Sequence, residues 1–488
     1  MRFPCSRKST PRSPRLTTIV ILVVLFLADV MATAQAQGTT RPSHRPNIVL
    51  IVADDLGGHD LACYGGDLVE TPHLDRLASQ GLRFTRAYAA APVCSPTRAA
   101  LLTGQYPARL QLTTWRESSQ NPPRDRKLRP PSCRADLPLE LLTVAEHLGS
   151  AGYFTAHIGK WHLGDASHFP EAQGFDVHRG GNHWGAPASY FYPYRGPFDN
   201  EIRYIPHLDL GKEGEYLTDR LTDEAIHVME RAQGRPFFLN LWHYAPHTPL
   251  QAKPADVEHF KKKLTPQHAH QSPVYAAMVK NLDENVGRLL RRLDALGHSR
   301  DTLVIFTSDN GGYLGKPGMI VTTNTPLRSG KGSLYEGGIR VPLICRWPGM
   351  VTSGGRCDAP VVTMDLFNTL LEVAQVPVDR TRSQPSDGVS LLPLLQDPAA
   401  TFERGPLFWH YPHYYNTTTP VSAILDRDWK LLEYFEDKQV ELYHLARDPA
   451  ETRNMAEVLP EKAEELLTRL HQWQQQVRAQ LPTRNLQP

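Results

Sequence analysis

The sequence predicts an α/β protein, with a large, mostly parallel sheet flanked by helices on both faces and a smaller C-terminal α+β subdomain of antiparallel sheet plus helix. Three observations carry this expectation. Continuous apolar runs read as strands buried on both faces. Between them, apolar residues recur at helical spacing, and strands alternating with helices argue for a doubly wound parallel sheet. From about residue 405 the pattern changes to closely spaced short strand candidates and a terminal amphipathic helix.

The first apolar run is Asn47–Val52, the second Pro236–Leu241 and the third Thr302–Thr307. Helical spacing is clear in 275–296, where Met278, Leu282, Val286, Leu289, Leu290 and Leu293 form one stripe, and 137–148 and 217–229 read similarly. Strand candidates at 423–425, 429–435 and 440–445 precede a helix whose stripe is Ala463, Leu466, Leu467, Leu470, Trp473 and Val477. The polar, Pro-containing segment 379–387 reads as a boundary, and Pro-rich 121–131 as a surface loop. The expected organisation is a leader over 1–36, a catalytic domain over 44–385 and the α+β subdomain over 400–488. A chain of 488 residues accommodates this division.

Lys and Arg number 53 and Asp and Glu 51, which leaves no bulk electrostatic case for nucleic-acid binding. Residues 1–15 carry Arg2, Arg7, Lys8, Arg12 and Arg15. The apolar run 18–27 and small residues around Ala32, Ala34 and Ala36 follow. This is the pattern of a secretory signal peptide, and an uncleaved anchor is the alternative for a run short of a membrane span. Cleavage after residue 36 leaves a mature chain with no membrane span, exported to the periplasm or secreted. Cys5 leaves with the leader. Cys63, Cys94, Cys133, Cys345 and Cys357 remain, an odd count that sets one thiol apart. With Cys94 set aside, three pairings are open to the other four, Cys345–Cys357 closing the shortest loop, against the alternative of free core thiols.

Two buried runs end in acid: Asp54-Asp55-Leu56-Gly57-Gly58 after the first, Asp309-Asn310-Gly311-Gly312 after the third. In an open α/β sheet, ligands bind at the carboxyl ends of the strands. Neighbouring ends would bring Asp54, Asp55, Asp309 and Asn310 to one point, where three carboxylates repel unless a cation lies between them. All-oxygen donors suit calcium or magnesium better than zinc. Taken singly, each pair also reads as ordinary turn residues. A third element is Cys94-Ser95-Pro96-Thr97-Arg98, followed by Ala-Ala-Leu-Leu-Thr-Gly. Pro96 fits the first turn of a helix and Gly104 its end. Cys94 then lies at a helix N-terminus that favours an anion, with Arg98 one turn along the same face. Lys160 and His162 are two apart, so an extended segment points them the same way.

The Cys94–Arg98 segment with its Ala-Ala-Leu-Leu-Thr-Gly continuation resembles the signature of the type I sulfatases, formylglycine-dependent, arylsulfatase-like members of the alkaline-phosphatase superfamily. Gly159-Lys160-Trp161-His162-Leu163-Gly164 resembles the family's second signature. Pro246-His247-Thr248-Pro249 and Gly330-Lys331-Gly332-Ser333 match later positions. The resemblance covers the chain from Asn47 into the C-terminal subdomain. It implies that a formylglycine-generating enzyme oxidises Cys94 to formylglycine. It also implies that Asp54, Asp55, Asp309, Asn310 and residue 94 ligate one calcium ion. Arg98 and Lys160 are implied to hold the formylglycine hydrate and His162 to take its proton. His247 and Lys331 are implied to bind the sulfate ester and assist the departing oxygen. The implied reaction is covalent hydrolysis of a sulfate monoester, on a sulfated carbohydrate or aryl sulfate.

Segments 113–134, 180–199 and 410–418 are expected to read the alcohol half. Aromatic residues and histidines interleave in the last two, and packing between domains is the alternative for them. Two other functions stay open: a phosphodiesterase or phosphonate hydrolase of the same superfamily, and a non-catalytic sulfated-glycan binder with Cys94 unmodified.

Overall fold

The computed structural model describes Met1, Pro4 and residues 45–198, 201–232, 234–376 and 384–486. The chain divides into a unit of residues 1–43 and a compact unit of 44–488. Apart from Met1 and Pro4, the expected leader lies outside the described residues. Among the described residues no helix is long and apolar enough to cross a membrane.

An eight-stranded sheet forms the platform. Its strands are β1 (Asn47–Ala53), β2 (Leu82–Phe84), β3 (Phe154–Gly159), β4 (Val177–Arg179), β5 (Phe237–Trp242), β6 (Thr302–Ser308), β7 (Leu343–Arg346) and β8 (Gly355–Cys357). Their order in space is β8-β2-β7-β6-β1-β5-β3-β4. Five neighbours, β6, β1, β5, β3 and β4, run parallel, and β7 is antiparallel to the strands on either side of it. The expected mostly parallel sheet is therefore observed, as a mixed one.

Side chains alternate between the two faces of each strand. On one face Val49 and Ile51 of β1 pack with Leu74 and Leu77 of α1 (Pro72–Ser79), Leu217 and Leu221 of α4 (Leu217–Arg231) and Met278 and Leu282 of α6 (Pro273–Ala295). On the other, Ile48, Leu50 and Val52 meet Leu101 of α2 (Cys94–Thr103), Leu148 of α3 (Val144–Ser150) and Leu370 of α7 (Asp365–Val373). Pro254–Lys263, α5, packs beside α6. Each such fully buried aliphatic side chain contributes about 1.5–3 kcal/mol, so burial on both faces makes the central strands a stiff support.

The helix expected over 137–148 begins only at Val144 and runs to Ser150. A capping box sets that start: the Glu146 N–H donates to the Thr143 hydroxyl, and the Thr143 N–H donates to the Glu146 carboxylate. Leu137 instead donates its N–H to the carbonyl of Leu163.

The C-terminal sheet has four antiparallel strands, β9 (Leu407–Tyr411), β10 (Val421–Asp426), β11 (Trp429–Tyr434) and β12 (Val440–His444), in that order, with α8 (Pro460–Val477) against it. β9 was not among the expected strands. The core of the C-terminal sheet also takes in Tyr88, Val93 and Ala100, the last on α2. Leu391, Leu392, Leu394 and Leu395 pack in the core of the large sheet.

All five described cysteines are free thiols. Cys345 and Cys357 lie on β7 and β8, which flank β2 on opposite sides. Two strand spacings, about 9–10 Å, separate such residues, beyond the reach of a disulfide.

Candidate active site

The parallel register explains how distant segments meet. Ala53 lies opposite Ser308, Val52 opposite Trp242, and Gly159 opposite Trp242, so β6, β1, β5 and β3 all finish at one edge. The chain leaving them carries Asp309 and Asn310, Asp54 and Asp55, His247, and Lys160 and His162. The α2 N-terminus enters the same edge with Cys94 as the first helical residue, and Gly104 ends that helix in the left-handed conformation.

Every expected site residue is brought to this edge. Asp54, Asp55, Asp309, Asn310, Cys94, Arg98, Lys160, His162 and Lys331 are buried, and His247 is partly so. The Cys94 Sγ stands 3.5 Å from Asp54 Oδ1, and Lys160 Nζ donates to Asp54 Oδ2 at 2.6 Å. Arg98 donates through Nε and Nη2 to Asp309 Oδ2 at 2.9 and 2.6 Å, and lies over the Trp242 ring. Lys331 Nζ donates to Asp55 Oδ2 at 2.9 Å and to His247 Nε2 at 3.2 Å.

Donor atoms of Asp54, Asp55, Cys94 and His247 all lie within 4.8 Å of one another. Asp309 and Asn310 join this group by hydrogen bonds. Asp309 Oδ1 accepts the Asp55 N–H at 3.2 Å, and Asn310 Nδ2 donates to Asp55 Oδ1 at 2.8 Å. Asn310 Oδ1 is buried with no hydrogen-bond partner. An orphaned amide oxygen among three buried carboxylates is a donor set that fits a hard cation.

Electrostatics follow from burial and pairing. Burial pushes the Asp54 carboxyl up to about 7; Asp309 and Asp55 add to this, and Lys160 and Arg98 pull against it. Burial also opposes ionisation of Asp55, but Lys331, His247 and Lys160 outweigh it and hold that carboxyl below the usual range. Burial lowers His247 to about 3 and His162 to about 4, so both rings are neutral near pH 7. The His247 Nδ1–H donates to the Thr248 carbonyl at 2.6 Å, which leaves Nε2 as the acceptor facing Lys331. Burial raises the Cys94 thiol well above its ordinary value. An unmodified thiol here stays protonated and is a poor nucleophile.

Two site residues are held in the left-handed region, Asp55 at φ 63° and His162 at φ 60°. Such conformations persist where the surroundings over-determine them. The extended segment expected through Lys160 and His162 is thus corrected: β3 ends at Gly159 and the chain turns at His162, whose N–H donates to the Asn182 carbonyl.

The edge opens into a cavity of about 410 Å³, within the range of small-molecule sites. Cys94, His162, His247 and Lys331 form its floor. Its walls include Trp115, Glu117, Asn121, Phe198, Glu201, Arg203 and Tyr415. Motif reading missed Glu117, Glu201 and Arg203 as individual residues. Glu117 Oε2 lies 3.6 Å from His162 Nε2, and Arg203 stacks 3.9 Å above the Phe198 ring. From segment 410–418 only Tyr415 lines the cavity. His410 bonds Ser422 inside the C-terminal sheet, and His413 bonds Thr113. In 180–199, Tyr190 and Tyr194 are fully buried, and the Tyr190 hydroxyl donates to the Tyr244 and His247 carbonyls. These two rings pack in the core on one face of the large sheet, neither against the cavity nor between domains.

A pocket lined by charged side chains of both signs, at the carboxyl edge of a helix-flanked sheet and beside a helix N-terminus, is an enzyme-like site. Residues 46–376 match the family model described as Sulfatase, and residues 330–480 that described as N-sulphoglucosamine sulphohydrolase, C-terminal. The chain belongs to the sulfatase family. It is 32% identical over 502 residues to a sulfatase of Formosa agariphila, covering 89% of this chain and 88% of that one. It is 35% identical over 410 residues to N-acetylgalactosamine-6-sulfatase of Homo sapiens, covering 80% and 71%. Among solved structures, Ps i-CgsB in complex with k-i-k-neocarrahexaose is similar with a TM-score of 0.73 and 31% identity, covering 88% of this chain and 93% of that one.

Proposed function

We propose that this sulfatase hydrolyses a sulfate monoester on a sulfated carbohydrate, using formylglycine derived from Cys94 and one calcium ion. The charge inventory of the pocket carries the reading. Three buried carboxylates, Asp54, Asp55 and Asp309, face three buried cations, Arg98, Lys160 and Lys331. A divalent ion held by Asp54, Asp55, Asp309, Asn310 and residue 94 leaves a local surplus of positive charge, which an anionic ester neutralises. The ion, when bound, would hold sulfate oxygens and favour a deprotonated nucleophile.

Residue 94, once converted, would supply a hydrated aldehyde with one hydroxyl to attack sulfur as the S–O bond to the alcohol breaks, and a second whose deprotonation would release sulfate and restore the aldehyde. The chain's own groups do the rest. Arg98 fixes Asp309, and Lys160 bridges Asp54 toward residue 94. Lys331, held between Asp55 and the bare Nε2 of His247, is the better placed of the two to protonate the departing alcohol oxygen. Neutral His162 accepts the proton from residue 94, and ionised Glu117 stands 3.6 Å from its Nε2.

The cavity walls favour a sugar over a purely apolar alcohol. Glu117, Glu201, Asn121 and Arg203 offer hydrogen bonds, and Trp115, Phe198 and Tyr415 offer ring faces. The relative named for N-acetylgalactosamine sulfate and the neighbour solved with a neocarrahexaose point the same way. Substrate at a cell's exterior agrees with the basic-apolar leader and export to the periplasm or medium. Maturation then requires a formylglycine-generating enzyme.

Parallel kinetics on an aryl sulfate and an aryl phosphodiester test the reaction, and mass analysis of the peptide containing Cys94 tests the nucleophile. Sulfate ester turnover should dominate, with the peptide as the aldehyde, and Cys94→Ala should abolish turnover with the fold intact. Preference for the diester would install the phosphodiesterase reading. A fully alkylatable thiol from a converting host would install the glycan-binder reading.

A further inference from the structure

We propose that Glu171, His178 and His207 form a second metal site, for zinc or a similar divalent transition ion, independent of the catalytic centre. Three separate segments supply the ligands. Glu171 sits in the 3-10 turn Pro170–Gln173, His178 in the middle of the edge strand β4, and His207 in the loop after the hairpin strand Glu201–Tyr204. One donor atom from each lies within 4.8 Å of the others.

The tautomers make the case. His178 has a fully buried side chain, and its Nε2 lies 2.8 Å from the Gly181 carbonyl oxygen. A carbonyl only accepts, so Nε2 carries a hydrogen, and Nδ1 is the ring position that a metal ion would take in place of a proton. That Nδ1 lies 3.1 Å from Glu171 Oε2. A carboxylate and an imidazole nitrogen at this separation are bridged by a proton, or by a divalent ion that replaces it. The separation is close to the roughly 3.3 Å expected between two ligands of a tetrahedral zinc ion with bonds of about 2.0–2.1 Å. His207 repeats the pattern. Its Nδ1 lies 3.2 Å from the His178 carbonyl oxygen, so Nε2 is the ring atom open to an ion. Metal-binding histidines characteristically donate their second ring N–H to a backbone carbonyl in this way. His207 is also held at φ 63°, a conformation uncommon for a non-glycine residue, with its ring set edge-on to His178. Two imidazoles and a carboxylate with an open, solvent-facing position are a donor set for zinc, whereas the oxygen-rich catalytic cluster suits a hard ion.

The site has a structural consequence for the catalytic edge. From His178 the chain runs through Gly180 and Gly181 to Asn182, whose carbonyl accepts the His162 N–H at 2.8 Å. An ion tying β4 to the 3-10 turn and to residue 207 would stiffen the segment on which His162 rests. The competing arrangement uses the longer contact, 3.3 Å, from the Gly181 N–H to His178 Nε2. The proton then sits on Nδ1, or on both nitrogens of an imidazolium, and Glu171 is an ordinary hydrogen-bond partner.

Zinc titration of the full chain with calcium in excess separates the two, with bound zinc counted by elemental analysis. The comparison is the double variant Glu171→Gln, His207→Asn; asparagine tolerates the left-handed backbone. The parent should take up one zinc more than the variant, with single variants binding at least about ten-fold more weakly. Cobalt(II) should give visible d–d absorption in the parent that the variant lacks. A second readout needs no variant: zinc should raise the melting temperature of the calcium-loaded parent. Equal zinc uptake by parent and folded variant, or a melting temperature indifferent to zinc, overturns the site.

Discussion

Gly185 illustrates how finely the site is set at the level of single residues. A Cβ built on it would stand 2.3 Å from Cε1 of His162, and 2.7 Å from each ring nitrogen. No rotamer of alanine avoids that overlap, so Gly185→Ala must push the ring. Misplacement of about 1 Å in a catalytic group costs on the order of 10²-fold in rate. The expected outcome is a fall of that order in kcat with the thermal midpoint little changed, read by steady-state kinetics and calorimetry. Unchanged kcat would remove His162 from proton transfer. The αL backbone of Asp55 and His162 belongs to the same scale: both sit where a strand has ended and the chain must turn a functional group inward.

Among the elements, the strand ends are the working parts. Asp309 follows β6 and carries the charge partner of α2's Arg98, both side chains fully buried. Asp309→Ala leaves a guanidinium in the interior without its carboxylate, a loss of about 3–5 kcal/mol. It should also reduce bound calcium, measured by elemental analysis after dialysis; unchanged metal content would strike Asp309 from the ligand set. The segment after β1 is tied down differently. His270, just ahead of α6, places Nε2 2.8 Å from Asp60 and Nδ1 2.7 Å from Asp67. Burial works against its charge, but the two carboxylates prevail and raise the ring to about 9. Because the folded pKa lies above the unfolded value near 6.5, the stabilisation is complete below about pH 6.5 and is lost as pH rises through 9. It is worth on the order of 3 kcal/mol. Urea midpoints of the parent and His270→Gln should therefore differ most at pH 6.5 and converge toward pH 10.

For the whole molecule, the joint between the large sheet and the C-terminal sheet decides whether the pocket is complete. Lys430 on β11 places Nζ 3.0 Å from Glu336 and 2.9 Å from Glu451, with all three side chains fully buried. Tyr88 donates to Glu336, and the Glu336 N–H donates to Glu451. The cluster lies a few residues beyond Lys331, whose carbonyl accepts the Thr417 hydroxyl. Lys430→Met removes the cation that Glu336 and Glu451 share, leaving Glu336 with Arg340 at 3.4 Å. It should cost about 3–5 kcal/mol and lower activity through loss of the Lys331 and Tyr415 wall. Denaturation midpoints and kcat/KM check both effects.

How much of this was legible in the chain differs by kind of feature. The buried runs 47–52, 236–241 and 302–307 announced the central strands, because a strand covered on both faces must be apolar throughout. The acids after two of them, and Cys94 with Arg98 at a helix start, were visible because each sits within a local pattern. The late start of α3 and the strand Leu407–Tyr411 were missed. A capping box can override an apolar stripe, and a five-residue strand has little periodicity to read. Glu117 and Tyr415 lie in segments marked as substrate-reading without being singled out, and Arg203 lies outside those segments with no local signature. They converge on the cavity from positions 117, 203 and 415, and their meeting depends on which elements pack together. Sequence alone determined the chemistry at the strand ends, since apolar runs, turns and helix caps are short-range properties. The tertiary structure alone decided which residues of the expected segments face the cavity, the free thiols at 345 and 357 and the paired histidines at 178 and 207, because long-range packing brings together residues that no local rule relates.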